Sequence, residues 1–216
     1  GRIARSPGAP ADLPNLSLSR SRAGRMGRHE HPAGGAALTQ PQPAIPSGGR
    51  GVGVLIGRAA LRLIGWRIVG ELPMLPRYVL AVAPHTSNWD FFVGLFAKWA
   101  LGLKAKWLGK HSVFRGPLGW VMRALGGIPV DRARPDGTIE AVLAQVRSGS
   151  TFVLALAPEG TRKRTEGWKT GFYRIAMAGG MPIVPVSFDW STRTIGLMPP
   201  SYPTGDASRD IPLLRA

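Results

Sequence analysis

Three short stretches hold the residue types that could do chemistry. The first is Ala83-Pro84-His85-Thr86-Ser87-Asn88-Trp89-Asp90, which sets a histidine and an aspartate five residues apart. An imidazole titrates near neutral pH, so His85 is the natural group to draw a proton from a hydroxyl. A base of this kind needs a partner to fix its tautomer and to stabilise the imidazolium that forms, and Asp90 is the nearest carboxylate. Positions five apart lie about 140° apart around an α-helix. The pair can therefore meet only if His85 sits in a loop and Asp90 in the first turn of the helix that follows. A plainer reading stands beside this one. Ser87 to Asp90 has the pattern of a capping box, in which the acid satisfies an amide at the helix start.

The second and third stretches are Asp131-Arg132 and Glu159-Gly160-Thr161-Arg162. Each follows an apolar run and pairs an acid with an arginine, whose fork matches phosphate oxygens two at a time. Lys163, Arg164 and Lys169 extend the positive field, and Gly160 lets the backbone turn tightly beside a ligand. Either motif alone would more often be a surface ion pair on a turn.

Positioning these groups requires strands that end where they stand. Tyr78 to Ala83 is a short apolar run bounded by turn signals and reads as a buried strand. Further strands are expected at 104–108, 128–130, 151–157, 183–188 and 192–197, with Pro185 suggesting an edge position for the fourth of these. Helices are expected at 88–101, 116–125, from an N-cap at Asp136 to Gly149, at 170–178 and from Ser208 onward. Strands thus alternate with helices, which predicts an α/β fold: a single domain with a largely parallel, mixed sheet flanked by helices. Polar residues at strand ends are where open sheets of this class place their sites.

The domain is expected to span 51–216. It opens with an amphipathic helix over 51–69, on which Val52, Ile56, Ala59, Ala60 and Leu63 share one side and Arg58 and Arg62 lie opposite. Such a helix either lies in a membrane surface with its cations at the headgroups or packs its stripe on the domain. Residues 1–50 are rich in Pro, Gly, Ala, Ser and Arg and contain no aromatic residue, so they read as a disordered basic tail. The last helix is short enough to suggest a chain that continues past Ala216.

Charge narrows the partners. The 216-residue chain carries a net +16. Seven basic and two acidic residues lie in 1–50, which leaves 21 basic and 10 acidic residues, a net +11, on 51–216. That field favours anionic membranes, phosphorylated small molecules or nucleic acid. Between the first two motifs, Lys98-Trp99, Lys104, Lys106-Trp107, Lys110, Phe114-Arg115 and Trp120 interleave cations with aromatics, as membrane-interface surfaces do. The absence of cysteine removes thiol nucleophiles, disulfides and thiolate metal sites. No run approaches the roughly 20 apolar residues of a spanning helix. Nor is there a Gly-x-Ser-x-Gly elbow, and Gly109-Lys110-His111-Ser112 lacks the earlier glycine of a phosphate loop.

Taken in order, His-x4-Asp at 85–90, Gly-x3-Asp-Arg at 127–132, Glu-Gly-Thr-Arg at 159–162 and Ile-Val-Pro-Val at 183–186 resemble the glycerolipid acyltransferases, the lysophosphatidic acid acyltransferase family. Together the four segments span most of 78–188. This resemblance implies His85 as general base and Asp90 as its orienting partner. It implies Glu159, Gly160, Thr161, Arg162 and Arg132 at the acceptor's glycerol phosphate, and Pro185 in the strand beside the acyl chain. Two departures are Pro84, where many members have asparagine, and Ile-Pro-Val-Asp-Arg in place of the commoner Phe-Ile-Asp-Arg. The implied reaction moves an acyl chain from acyl-CoA or acyl-carrier protein to a lysophospholipid, most readily lysophosphatidic acid, on the cytoplasmic side of the membrane. It needs no cofactor or metal beyond the thioester substrate, and no nucleic acid. Other lysolipid, glycolipid or aminolipid acceptors, and a non-catalytic membrane-binding role, are the alternatives.

Overall fold

In the computed structural model, the described residues are 51–85, 87–130, 135–160 and 167–215. The segment expected to be a tail, 1–50, lies outside them, as do Thr86, Asp131, Arg132, Thr161 and Arg162. Seven strands form one sheet: β1 (Arg67–Val69), β2 (Arg77–Ala83), β3 (Ala105–Lys110), β4 (Gly127–Val130), β5 (Phe152–Leu156), β6 (Ile183–Asp189) and β7 (Thr194–Leu197). Their spatial order is β1-β7-β6-β2-β5-β3-β4. All neighbours are parallel except β6 and β7. The helices are α1 (Val52–Leu63), α2 (Trp89–Ala100), α3 (Gly116–Ala124), α4 (Pro135–Ser148), α5 (Gly171–Gly179) and α6 (Ala207–Arg215).

The central strand shows why its sequence is apolar throughout. Along β2, Tyr78 and Leu80 enter one core with α1 and α2, while Val79 and Ala81 enter the other with α4 and α5. Both faces are covered by helices, so alternation with polar residues is lost. The connections make the site. β2 leads through α2 to β3 on one side, whereas its neighbour β5 leads through α5 to β6 on the other. Adjacent strands whose connections part in opposite directions leave a crevice at their carboxyl ends.

Three expectations need correction. The helix read over 51–69 ends at Leu63; Gly65 at φ 75° turns the chain, and Arg67–Val69 pair with β7. Strand β6 is not an edge strand, because it lies between β2 and β7. Pro185 is tolerated there because its carbonyl accepts from the Met198 amide at 3.0 Å, just past the end of β7. The amide it lacks would face the same way, so no bond to β2 is lost. Helix α4 starts at Pro135, one residue ahead of the expected cap at Asp136.

Helix α1 carries two apolar sectors. Gly57 and Leu61 are buried, and Gly57 lets the helix approach α2 so closely that an added Cβ would lie 2.7 Å from the Phe96 carbonyl oxygen. The stripe read from sequence faces outward instead: Val52, Ile56 and Leu63 are exposed, Leu63 to 88%. The cation–aromatic stretch divides as well. Phe114 is buried and stacks with Trp107 at 5.6 Å, and Lys98 caps α3 through the Leu125 carbonyl at 2.7 Å. Burial, then the nearby Lys106, lower the Lys98 pKa. Trp120 is exposed.

Candidate active site

Strand β2 delivers the chain through Ala83 and Pro84, joined by a cis bond, to His85 at the crevice. The histidine is held by contacts that include its backbone and its ring. Its backbone amide donates to Glu159 Oε2 at 3.0 Å, which ties the end of β2 to the residue that follows β5 and its turn. Its Nδ1 faces Asp90 Oδ2 at 3.4 Å. That is longer than a formed bond of about 2.7–3.2 Å, as is common in sites without substrate.

Asp90 stands in the first turn of α2 and is only 2% exposed. The loop folds back as the spacing requires. Both contacts that the two readings of Asp90 call on fall on one oxygen: Oδ2 accepts from the Ser87 amide at 2.7 Å and faces His85 Nδ1 at 3.4 Å. Ser87 Oγ in turn accepts from the Trp89 amide at 3.1 Å. The other oxygen, Oδ1, accepts from the Trp190 indole Nε1–H at 2.9 Å. Trp190 was invisible to sequence reasoning, since it lies outside every motif.

After β5, the Gly160 amide bonds to the Ala157 carbonyl at 3.1 Å, and Gly160 takes φ 63°. A Cβ there would lie 3.0 Å from the Lys169 side chain, so the glycine lets a lysine lie along the turn. The Lys169 amide bonds the Pro158 carbonyl at 2.8 Å. Glu159 was expected at the acceptor, and here one of its oxygens holds the His85 backbone. Arg132, Thr161 and Arg162 lie outside the described residues. A cleft of about 290 Å³ opens at the carboxyl end of β2, lined by Pro84, Glu159, Pro185, Ser187, Leu214 and Arg215 among others. Strand β6 thus brings Pro185 to the cleft, and α6 closes over it. Among the described residues no group of three His, Asp or Glu side chains could hold a metal ion.

A larger hollow of about 530 Å³ lies against α5 and the chain entering α6. Its Tyr173 hydroxyl is committed to Asp210 Oδ2 at 2.7 Å, and burial first, then that bond, raise the Tyr173 pKa. This network seats α6. Tyr78, fully buried with its pKa pushed up to about 12 by desolvation, is no nucleophile either.

Residues 69–189 match the Acyltransferase family, over more than half of the chain and across the ends of β2 to β6. The chain belongs to the Acyltransferase family. Among similar proteins of this family, it is 30% identical over 126 residues to the 1-acyl-sn-glycerol-3-phosphate acyltransferase of Escherichia coli, covering 54% of this chain and 49% of that protein. It is 30% identical over 145 residues to the Saccharomyces cerevisiae protein of the same name, covering 63% and 46%. It is 29% identical over 110 residues to a chloroplastic one from Brassica napus, covering 48% and 31%. The acyltransferase chain therefore spans between about a third and a half of these relatives. In fold it is similar to the crystal structure of the 1-acyl-sn-glycerophosphate acyltransferase PlsC from Thermotoga maritima, with a TM-score of 0.53, 20% identity, and coverage of 76% of this chain and 72% of that one.

Proposed function

We propose that this acyltransferase moves an acyl chain from an acyl thioester, acyl-CoA or acyl-carrier protein, to the hydroxyl of lysophosphatidic acid at a membrane surface. The observation that carries the reading is His85 Nδ1 turned to a buried carboxylate at the carboxyl end of β2, where a cleft lined by Pro84 and Glu159 also opens. With Nδ1 turned to Asp90, the lone pair on Nε2 is the one that takes the proton. The acceptor oxygen attacks the thioester carbonyl as His85 removes its hydrogen. The new C–O bond forms, the C–S bond breaks, and the imidazolium returns its proton to the departing thiolate. A thiolate leaves readily, since thiols have pKa values near 8.5, so no second acid is demanded. Asp90 steadies the imidazolium, and Glu159 fixes the backbone from which the base projects. The phosphate is assigned to Arg132, Thr161 and Arg162 beside Gly160, because an arginine fork suits phosphate oxygens.

Membrane attachment is assigned to the outward face of α1. Val52, Leu55, Ile56 and Leu63 form an exposed apolar strip with Arg58 and Arg62 on its flank. β1 runs opposite to β2, so the last turn of α1 lies at the edge where His85 stands. Trp89 and Phe92, also exposed, project from the start of α2 at that edge. No helix among the described residues is long and apolar enough to cross a membrane.

Transfer of a radiolabelled acyl group is measured with wild type and His85→Ala, using acyl-CoA and acyl-carrier protein against a panel of lysolipids on anionic vesicles. Product with lysophosphatidic acid, lost in His85→Ala, is expected. Transfer only to another lysolipid would reassign the acceptor, and equal product from both proteins would remove His85 as base.

A further inference from the structure

The buried Asp90 carboxylate takes one of its partners from far along the chain. Ser87 and His85 occupy the side of Oδ2, both within five residues; Oδ1 is served by Trp190, one hundred residues away. Asp90 is almost fully enclosed, so water would not readily replace a donor lost there.

The indole is held from several directions. Its ring stands edge-on to Trp66, centroids 5.0 Å apart at 88°, and Trp66 packs in the same manner on Phe188 at 5.9 Å. Trp190 lies in the turn between β6 and β7, and that turn is tied by its own side chains. Asp189 accepts from the amide and hydroxyl of Ser191 and from the amide and hydroxyl of Thr192. Arg193, at φ 50°, sends its guanidinium to the Ile64 carbonyl at 3.2 Å.

We propose that Trp190 is a positioning residue of the active site, whose indole N–H fixes the Asp90 carboxylate plane so that Oδ2 stays turned toward His85 Nδ1. The inference rests on the reading of His85 as the base. Rotation about the last torsion of an aspartate is broad and nearly two-fold, so one hydrogen bond leaves the carboxylate free to swing. Donors on both oxygens pin it. The contact to His85 is 3.4 Å long, so a modest swing loses it. Among the described residues, the charged groups on this side include Glu159 after β5, bonded to the His85 amide, Lys169 along the Gly160 turn, Asp189 and Arg193 in the turn that carries Trp190, and Arg215 at the end of α6, lining the adjoining cleft. Trp190 is uncharged, so replacing it changes orientation without changing the charges around the pair.

Two variants separate the donor from the ring. Trp190→Phe deletes the N–H and keeps an aromatic ring against Trp66. Trp190→Gln loses the ring but restores an N–H donor the same number of bonds from Cβ. The titration of the His85 imidazole is followed by NMR on histidine-labelled protein, assigned with His85→Ala, and kcat and KM are measured for acyl transfer. In Trp190→Phe the His85 midpoint is expected to move to lower pH, because a nearby carboxylate that favours the imidazolium is no longer held to it. The kcat is expected to fall about tenfold with KM unchanged, and Trp190→Gln to recover both toward wild type. An unmoved midpoint in Trp190→Phe overturns the proposal, as does equal behaviour of the two variants, which would trace the effect to lost packing. Should Trp190→Phe not fold, the wild-type indole N–H decides: slow hydrogen exchange that becomes fast in Asp90→Ala is expected, and fast exchange in wild type overturns it. If the midpoint shifts as expected but wild type acylates no lysolipid, the proposed activity fails and the positioning role stands.

Discussion

Glu159 offers the sharpest test of how the site is built, because two roles make opposite demands on it. In the structure its Oε2 accepts from the His85 amide, whereas the family resemblance places it at the acceptor. Replacing it by alanine leaves a partly buried N–H without its partner, a loss of about 1–3 kcal/mol. If that loss falls on the placement of the base, kcat drops about 5- to 150-fold, since 1.36 kcal/mol is a factor of ten. Glutamine keeps an acceptor oxygen at the same place and loses only the charge. The difference between a charge-assisted and a neutral hydrogen bond is about 1 kcal/mol, or roughly fivefold. Steady-state transfer from acyl-CoA to lysophosphatidic acid is measured for Glu159→Ala and Glu159→Gln. The expected pattern is a large fall in kcat for alanine, a small one for glutamine, and KM for the acceptor little changed in either. Equal losses in the two variants, expressed mainly in the acceptor's KM, would refute the backbone role and return Glu159 to the substrate.

Other consequences follow from the same geometry. Ile56→Glu with Leu63→Glu, both on the outward face of α1, is expected to lower partition onto anionic vesicles by at least about tenfold in a sedimentation assay, with the melting temperature unchanged. Gly57→Val drives a side chain into the α2 backbone, where even an added Cβ would lie 2.4 Å from the Ala100 nitrogen. Overpacking of this kind costs about 1–3 kcal/mol, a fall in Tm of about 2–12 °C by calorimetry. The Asp189 carboxyl is held down to about 2 by the Ser191 hydroxyl first, then Thr192. A depressed acid stabilises above its unfolded value and loses that contribution as pH falls through its folded one. The Tm difference between wild type and Asp189→Ala should therefore be full above about pH 4 and close as pH falls toward 2.

Much of the site was legible because chemistry and punctuation coincide. His85 and Glu159 each follow an apolar run that can only be a buried strand, and parallel strands with helical crossovers bring such ends together. Asp90 was legible twice over, as cap and as partner: the Ser87 amide bonds to it, and His85 Nδ1 faces the same oxygen at 3.4 Å. What sequence could not show was non-local. Arg67–Val69 looked like the continuation of α1 because its pairing partner lies more than 120 residues on. Pro185 suggested an edge because the register that excuses it depends on where β7 stops. The apolar stripe of α1 was correctly drawn, but a helical projection does not say that a glycine on the other side permits the closer packing. Trp190 reaches Asp90 only once β6 and β7 are in place.

The sheet's edge also sets an order of events during synthesis. Among the described strands β1 leaves the ribosome first, and its one neighbour there is β7, which leaves last. Its backbone groups on that side wait until residues 194–197 emerge, and contacts spanning such a separation close late. Trp66, beside β1, and Trp190, just ahead of β7, meet in the same step. A nascent chain can therefore carry His85 and Asp90 close together in sequence well before their surroundings exist. The indole that holds Asp90 is set only once β7, the last of the described strands, has paired.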